Sequence, residues 1–270
     1  MAERVLAHER MVAPGAAPSK WILFLHGIYG SGRNWGTIAR RVVQVRPEWG
    51  AMLVDLREHG GSRGFDRPHT LEAAARDLVA LRDTLGIAVR GVLGHSFGGK
   101  VALAYAREGG RGLEQVWVVD STPDAMPPRG TSWETLAILR RLPSFFGSRQ
   151  AAVHALEAEG VATGVAQWLA TNLEPADGGF RWRLDLDAME ELLLDFFRTD
   201  LWDVVENPPP DTVLHFVKAE DSDILSPAVC ARIEEAGRRS GRVFLHRLPG
   251  GHWLNADNPA GMVALLSERL

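Results

Sequence analysis

The chain has 270 residues, of which 46% are hydrophobic and 24% are charged, a composition that is ordinary for a globular protein. This length allows one large domain, or one domain that carries an insertion. The formal net charge of −4 gives no reason to expect a nucleic acid or an anionic membrane surface as a partner.

A single cysteine, Cys230, excludes an internal disulfide and a cysteine-based metal site, and we expect it to be a small apolar residue on a helix. The N-terminus carries charges throughout and lacks the apolar segment of a signal peptide. No apolar run reaches the roughly 18 residues of a membrane-spanning helix. We therefore expect a cytoplasmic protein that does not span a membrane, and the sequence specifies no oligomeric state.

Short apolar runs alternate with helical patterns through the first 122 residues. The runs predict strands at 21–27, 51–57, 90–96 and 115–121. Helical spacing of apolar residues predicts helices at 71–86, ended by Gly86, and at 97–108. Continuous apolar strands that alternate with helices predict an α/β fold with a mostly parallel, doubly wound sheet that is covered on both faces.

The pattern changes at about residue 123. From there to residue 210 the chain predicts helices rich in Trp and Phe, with no clear strand and with proline clusters at both ends. A strand then returns within 211–221, followed by a helix at 227–239, a strand and loop at 242–251, and a closing helix. We therefore predict a core domain made of residues 1–122 and 211–270, and a helical cap made of residues 123–210.

The segment GVLGHSFGGKVAL, residues 91–103, allows two interpretations. It approaches a phosphate-binding P-loop, but that motif needs a hydroxyl residue after its lysine, and Val101 follows Lys100. It also fits G-x-S-x-G, the sharp strand-to-helix turn that exposes a nucleophilic serine, here Ser96. The mismatch at Val101 favours the serine interpretation.

The partners of a nucleophilic serine are present elsewhere in the chain. The histidine base of such proteins comes late, and His252 follows Pro-Gly-Gly in a loop between the last predicted strand and the last helix. The N–H of Phe97, at the start of a helix, can donate to an oxyanion. The loop in FLHGIYGSGRNW provides a second donor, the N–H of Ile28 or, as the less favoured alternative, that of Tyr29. His26 and His95, which flank these motifs, are interpreted as structural.

Together these segments resemble the α/β-hydrolase superfamily, and especially its small acyl-ester hydrolases of the YbfF and ABHD types. The matching segments are LHGIYGSGRNW, LVDLREHGGS, LGHSFGGKVALAYA, VVDSTP, RWRLDLDAM and PGGHWLNADNP. The resemblance implies a Ser-His-Asp hydrolase with a helical cap over its site, and with neither a metal nor another cofactor.

Two aspartates qualify as the acid that orients the histidine. Asp120 ends a predicted strand, and Asp223 follows the next strand. Most α/β-hydrolases use the second position, whereas the resemblance to the smaller group implies Asp120, which we favour, with Asp223 as the alternative. Asp55, also at a strand end, is interpreted as a carboxylate that organises its loop.

The expected function is that of a serine carboxylesterase, which hydrolyses small or medium acyl esters, or thioesters, through an acyl-enzyme. An acyltransferase or perhydrolase with the same triad and a non-catalytic binding protein of the same fold stay open as alternatives. Aromatic residues could line an acyl pocket, although most large aromatics of the insertion are expected to form its own core. The pocket candidates are Tyr29, Trp133, Phe145, Phe146, Trp168, Trp182 and Trp253.

Overall fold

A seven-stranded sheet runs through the centre of the protein. The structure is a computed structural model, and it describes residues 4–110 and 112–270. The strands of this sheet are β1 (His8–Met11), β2 (Lys20–Leu25), β3 (Trp49–Val54), β4 (Val89–His95), β5 (Gln115–Val119), β9 (Val213–Ala219) and β10 (Val243–Leu248). Their order is β1-β3-β2-β4-β5-β9-β10. Every neighbouring pair is parallel except β1 with β3, so the prediction of a mostly parallel sheet is confirmed.

The strand order reverses direction between β2 and β4. From β2 the chain moves outward to β3, whereas from β4 it moves the other way through β5 and β9 to β10. In an open parallel sheet, the loops on either side of such a reversal part and leave a crevice at the carboxyl ends of the strands. The turn that contains Ser96 and the loop that contains Ile28 follow β4 and β2 respectively, so both border this crevice.

Helices cover both faces of the sheet. They are α1 (Gly36–Val45), α2 (Leu71–Leu85), α3 (Phe97–Gly109), α9 (Pro227–Ser240), α10 (Leu254–Asp257) and α11 (Pro259–Arg269), with a short 3-10 helix (Gly32–Trp35) before α1. One apolar cluster joins α1 and α11 to the sheet, and a second cluster joins α2, α3 and α9 to it. The sheet is therefore covered on both faces, as predicted.

Local signals in the sequence fix several helix ends. Thr70 accepts a hydrogen bond from the N–H of Ala73 at the start of α2, and Gly86 ends this helix in the left-handed conformation with φ 60°. Helices α9 and α11 each begin with a proline after a side-chain cap. Cys230 is buried on α9, as expected.

Residues 123–210 fold outside the seven-stranded sheet, and we call this segment the cap. It contains α4 (Thr131–Arg141), α5 (Arg149–Ala158), α6 (Thr163–Leu169), a 3-10 turn (Ala170–Asn172), α7 (Leu186–Arg198) and α8 (Trp202–Glu206). The prediction that this segment has no strand is wrong. A small antiparallel sheet pairs β6 (Phe145–Phe146) and β7 (Leu173–Ala176) with β8 (Gly179–Trp182). These strands are too short to show an alternating pattern.

Five of the nine histidines are buried, and four of these, His26, His59, His95 and His215, bear on the charge of the interior. Burial penalises the charged imidazolium and lowers the pKa of His26 to about 4. The same cause lowers the pKa of each of the other three to about 3. At neutral pH all four are therefore uncharged, and each is held by a ring-nitrogen hydrogen bond.

These histidines should make the fold sensitive to mild acid. Their unfolded pKa lies near 6.5, so the unfolded chain takes up their protons first. The contribution of these neutral histidines to the free energy of unfolding is complete above pH 6.5. It is lost as the pH falls below that value, by up to about 1.4 kcal/mol per pH unit for each histidine. Urea unfolding between pH 7.5 and 5 should show a decreasing free energy of unfolding.

His215→Phe provides the matched control, because a phenyl ring keeps the stacking on Trp117 and cannot bind a proton. The variant should show a shallower dependence on pH than the unsubstituted protein. An identical dependence in the two proteins would mean that His215 accepts a proton in the native state, contrary to its burial.

Candidate active site

Ser96 occupies the sharp turn between β4 and α3. Its backbone has φ 50° and ψ −116°, outside the regions that a residue with a side chain normally adopts. Such strain costs free energy and persists where the surroundings enforce it. The main chain of the turn is held by two hydrogen bonds, from the Ser96 N–H to Val119 and from the Gly99 N–H to Ser96. The turn therefore lies directly beside the end of β5.

Two glycines make this turn sterically feasible. A Cβ atom at Gly94 would lie 1.9 Å from the carbonyl oxygen of Gly98, and one at Gly98 would lie 2.6 Å from the carbonyl oxygen of His26. No side chain fits at either position unless the backbone moves. The first turn of α3 consequently packs directly on the ends of β2 and β4, with Ser96 at the apex.

His252 is hydrogen-bonded to the carboxylate of Asp120. The two side chains meet at 2.7 Å between Nδ1 and Oδ2. The acceptor fixes the proton on Nδ1, so Nε2 carries the lone pair of the neutral ring. The side chain of Asp120 is fully buried, whereas that of His252 is 32% exposed. The imidazole is therefore oriented from the protein interior and remains accessible from outside.

Three donors stabilise the buried carboxylate of Asp120. Besides His252, the N–H of Ala219 donates to Oδ1 at 3.2 Å, and the hydroxyl of Ser222 donates to Oδ2 at 2.5 Å. Hydrogen bonds of this kind offset the cost of burying a charged group. Asp223, the alternative acid, is exposed on the same loop as Ser222, and the carboxylate bonded to His252 is that of Asp120. Ser222 could not be predicted from the sequence, because its role depends on two strand ends being adjacent.

His95 connects the turn to the loop of His252. Its Nε2 lies 2.7 Å from the carbonyl oxygen of His252, and the two rings lie 4.6 Å apart between centroids. Because a carbonyl only accepts, His95 carries its proton on Nε2. The residue before Ser96 thus holds the main chain of the histidine that Asp120 orients, in agreement with the structural role expected for His95.

The loop after β2 packs against the same turn. A Cβ at Gly27 would lie 3.1 Å from Nδ1 of His95 and 3.6 Å from Cβ of Ser96. In the described ranges, 4–110 and 112–270, the N–H of Ile28 makes no hydrogen bond to the protein. Phe97 is the first residue of α3, where the helix offers no acceptor for its N–H. The two amides expected to act as oxyanion donors therefore belong to segments that adjoin Ser96, and neither has an intrahelical or loop partner.

Buried polar contacts hold this loop in place. His26 accepts a hydrogen bond from the N–H of Leu56 through Nε2, at 3.0 Å. Asp55 accepts from the N–H groups of Gly32 and Gly61, each at 2.8 Å, so its predicted role as a loop-organising carboxylate is confirmed. The loops after β2 and β3 are thereby fixed to each other.

Tyr29 joins the loop after β2 to the cap. Burial raises the pKa of its hydroxyl, which donates to the carbonyl oxygen of Ser132 on α4 at 2.9 Å. Its own carbonyl oxygen accepts a hydrogen bond from the buried side chain of Asn172, at 2.7 Å. Tyr29 therefore connects the cap to the loop of Ile28.

The other aromatic pocket candidates have several environments. Phe146 and Trp182 pack edge to face in the cap, with centroids 5.7 Å apart, and Phe145 is 45% exposed. Trp133 packs against Phe197 within the cap. These four residues belong to the cap's own core or to its surface, as the interpretation of the insertion as a small core anticipated.

Trp168 and Trp253 are different, because their contact joins the cap to the loop of His252. Their ring centroids lie 5.1 Å apart, and both rings are half-buried. Trp168 lies on α6, and Trp253 directly follows His252. This pair is the place where the pocket candidates approach the histidine.

No helix in the described part of the chain is both long and apolar enough to span a membrane. Within the same ranges, no three side chains of His, Cys, Asp or Glu converge as ligands for a metal ion. The arrangement around Ser96 consists of a strained serine, an oriented imidazole, a buried carboxylate and two adjacent backbone amides. These are the groups used in nucleophilic acyl transfer.

Comparisons of the sequence and of the fold with known proteins agree with one another. The profile of the alpha/beta hydrolase family matches residues 22–265. The sn-1-specific diacylglycerol lipase ABHD11 of Mus musculus is 30% identical over 256 residues, which cover 91% of this chain and 79% of the lipase. Among solved structures, a marine microorganism esterase superposes with a TM-score of 0.84 at 25% identity, over 99% of this chain and 100% of the esterase.

A second solved structure, E-2-(acetamidomethylene)succinate hydrolase, superposes with a TM-score of 0.75 at 21% identity and supports the fold alone. It covers 97% of this chain, and this chain covers 98% of it. The predicted fold and the predicted resemblance to ABHD-type proteins are confirmed. The chain belongs to the alpha/beta hydrolase family.

Proposed function

We propose that this protein hydrolyses carboxylic esters of small or medium acyl groups through a triad of Ser96, His252 and Asp120. One observation carries the proposal: the hydrogen bond from His252 Nδ1 to the buried carboxylate of Asp120. This bond leaves the imidazole with an unprotonated Nε2, which is the form that a general base requires.

The relatives indicate which bond is cleaved. The chain is an ester-hydrolysing enzyme, since a mouse relative that matches 91% of this chain is a diacylglycerol lipase, and a solved structure that superposes over its whole length is an esterase. Our proposal adds two points to this activity, namely the size of the acyl group and the identity of the triad. The strained turn at Ser96 and the buried acid support the triad.

In the first step, Nε2 of His252 takes the proton of the Ser96 hydroxyl while its oxygen attacks the ester carbonyl carbon. The N–H groups of Phe97 and Ile28 donate to the resulting oxyanion. His252, now an imidazolium stabilised by Asp120, returns the proton to the leaving alcohol oxygen as the carbon–oxygen bond breaks. The product of this step is an ester between the acyl group and Ser96.

In the second step, water replaces the alcohol. His252 removes a proton from water, whose oxygen attacks the acyl carbon, and the proton passes to Ser96 as the free acid departs. Another alcohol or hydrogen peroxide in place of water would give acyl transfer or a peracid. Analysis of products with each acceptor present distinguishes these alternatives from hydrolysis.

The cap supplies the acyl-binding surface in this proposal. Trp168 and Trp253 support it, because this aromatic pair lies between the cap and the catalytic loop. Aromatic rings provide a large apolar area against which an acyl chain can pack. Phe145 contributes nothing in this account, because it faces outward from the cap.

Replacing the nucleophile should abolish hydrolysis. For Ser96→Ala we expect kcat for p-nitrophenyl butyrate to fall by about a thousandfold or more, since the covalent step is lost. Ser267→Ala is the matched control, because its hydroxyl is buried on α11 without a hydrogen-bond partner. Equal rates for Ser96→Ala and the unsubstituted protein would refute the proposed nucleophile.

Replacing each candidate acid with asparagine distinguishes between the two. Asp120→Asn removes the carboxylate that fixes the His252 tautomer, so we expect kcat/KM to fall by about a thousandfold or more. Asp223→Asn changes an exposed side chain and should leave kcat/KM within about twofold. If Asp223→Asn is the inactive variant, the assignment of the acid is wrong.

Loss of either ring of the aromatic pair should affect long substrates more than short ones. We expect Trp168→Ala and Trp253→Ala to raise KM for p-nitrophenyl octanoate by about tenfold, with little change for the acetate ester. Phe145→Ala, also in the cap, is the control and should leave both KM values unchanged. An equal effect on acetate and octanoate would argue against an acyl-binding role for the pair.

A further inference from the structure

Lys100 has an unusual environment for a lysine. It lies on α3, one helical turn after Ser96, and is fully buried. Its ammonium donates to the carbonyl oxygens of Asp124, Phe196 and Thr199, at 2.6, 2.7 and 2.8 Å. The three donors of an ammonium group are thereby all used. Lys100 is fully occupied by main-chain carbonyls in the interior and is not available to a phosphate, so the P-loop interpretation of this segment is wrong.

These carbonyls belong to the two segments through which the chain passes between core and cap. Asp124 follows β5, where the chain enters the cap, and Phe196 and Thr199 lie at the C-terminal end of α7, where the chain begins its return. The last carbonyls of a helix have no partner within it and carry partial negative charge, so a cation is favoured there. Lys100 supplies that cation from the helix that begins at Ser96.

Hydrogen bonds also tie the two segments to each other. The N–H of Met126 donates to Phe197 at 2.7 Å, and the N–H of Leu201 donates to Pro123 at 3.0 Å. We call residues 123–126 and 196–201 the cap hinge. Lys100 is the contact from α3 that binds both segments of this hinge at once.

The contact depends on the charge of Lys100. A neutral amine has two N–H donors and one lone pair, so one of the three carbonyls would face a lone pair without a proton. Burial lowers the pKa of Lys100 to about 8, against the opposing effect of the carboxylates of Asp200, Asp124 and Asp195. Of these, Asp195 is paired with Arg198, and Asp124 accepts from the indole of Trp202.

We propose that Lys100 is a positioning residue, whose ammonium holds the cap hinge against the nucleophile helix and thereby sets the position of the cap over Ser96. This inference rests on the proposed function for its effect on turnover. Lys100 touches no reacting atom, so it acts through the cap and through substrates that contact the cap. The loss of its charge should release the hinge and leave the serine chemistry intact.

The first test uses the unsubstituted protein between pH 6.5 and 9.5, with p-nitrophenyl octanoate as substrate. We expect KM to rise by about tenfold as Lys100 loses its proton around pH 8, because the acyl-binding surface is displaced. The rate of labelling by a small fluorophosphonate, which needs the triad but not the acyl-binding surface, should change by less than about twofold over the upper part of this range.

Two variants separate this role from simple packing. Lys100→Met keeps an unbranched side chain of similar length without donors, so it should show at pH 7 the high KM of the unsubstituted protein at pH 9.5, with no further rise. Lys20→Met is the matched control, because Lys20 forms a half-exposed ion pair with Glu114 at the opposite end of the sheet strands. An unchanged KM and pH profile in folded Lys100→Met would overturn the proposal.

Two further readouts cover the remaining outcomes. If folded Lys100→Met also loses fluorophosphonate labelling, Lys100 acts on the turn of Ser96 itself and the cap role is wrong. If Lys100→Met does not fold, amide hydrogen exchange of Met126 and Leu201 in the unsubstituted protein tests the proposal instead. Their protection factors should fall by about tenfold between pH 7.5 and 9, and constant protection would overturn the proposal. Exchange does not require turnover, so this result is independent of the proposed function.

Discussion

The close packing of α3 on the ends of β2 and β4 is the constraint on which the rest of the site depends. A Cβ at Gly98 would lie 2.6 Å from the His26 carbonyl oxygen, so the helix begins as close to the sheet as a backbone allows. This contact forces Ser96 into its strained conformation and projects it beyond the strand ends. It also brings the loop of Ile28 and the first N–H of α3 to the same point. A looser helix start would separate the serine from both amides.

The charged and neutral side chains around His252 favour the formation of an imidazolium at this residue. Among the residues that the structure describes, the carboxylate bonded to His252 is that of Asp120, which is buried and accepts three hydrogen bonds. The neighbouring histidines, His26 and His95, are kept neutral by burial. A second cation near His252 would oppose the imidazolium that forms during acyl transfer. Neutral histidines avoid that opposition and still provide directed hydrogen bonds.

The segments of the candidate site could be predicted from the sequence because each one is encoded locally. The turn at Ser96 needs its glycines within a few residues, and the parallel strands are apolar along their whole length. The choice between Asp120 and Asp223 depends on the loop after β9, which turns Ser222 and not Asp223 toward the neighbouring strand end. Such proximity between loops has no signature in the spacing of residues along the chain.

Other features could not be predicted from the sequence, because the elements that carry them are short or polar. Strand β1 is mostly exposed and polar, as an edge strand can be, so it lacks an apolar run. Strand β6 has only two residues, and β7 contains Pro175, so neither predicts a strand. Lys100 resembled part of a phosphate-binding motif, yet its partners are carbonyls far away along the chain. Only the folded arrangement of cap and core reveals them.

The most direct measurement of the central claim is intact-mass analysis after exposure to a small fluorophosphonate. Such a reagent phosphonylates a serine whose hydroxyl is activated by an oriented base. We predict one adduct on the unsubstituted protein, none on Ser96→Ala, and much slower labelling of Asp120→Asn. An adduct that persists on Ser96→Ala, or a folded protein that takes up no adduct, would contradict the assignment of Ser96 as a nucleophile activated by His252 and Asp120.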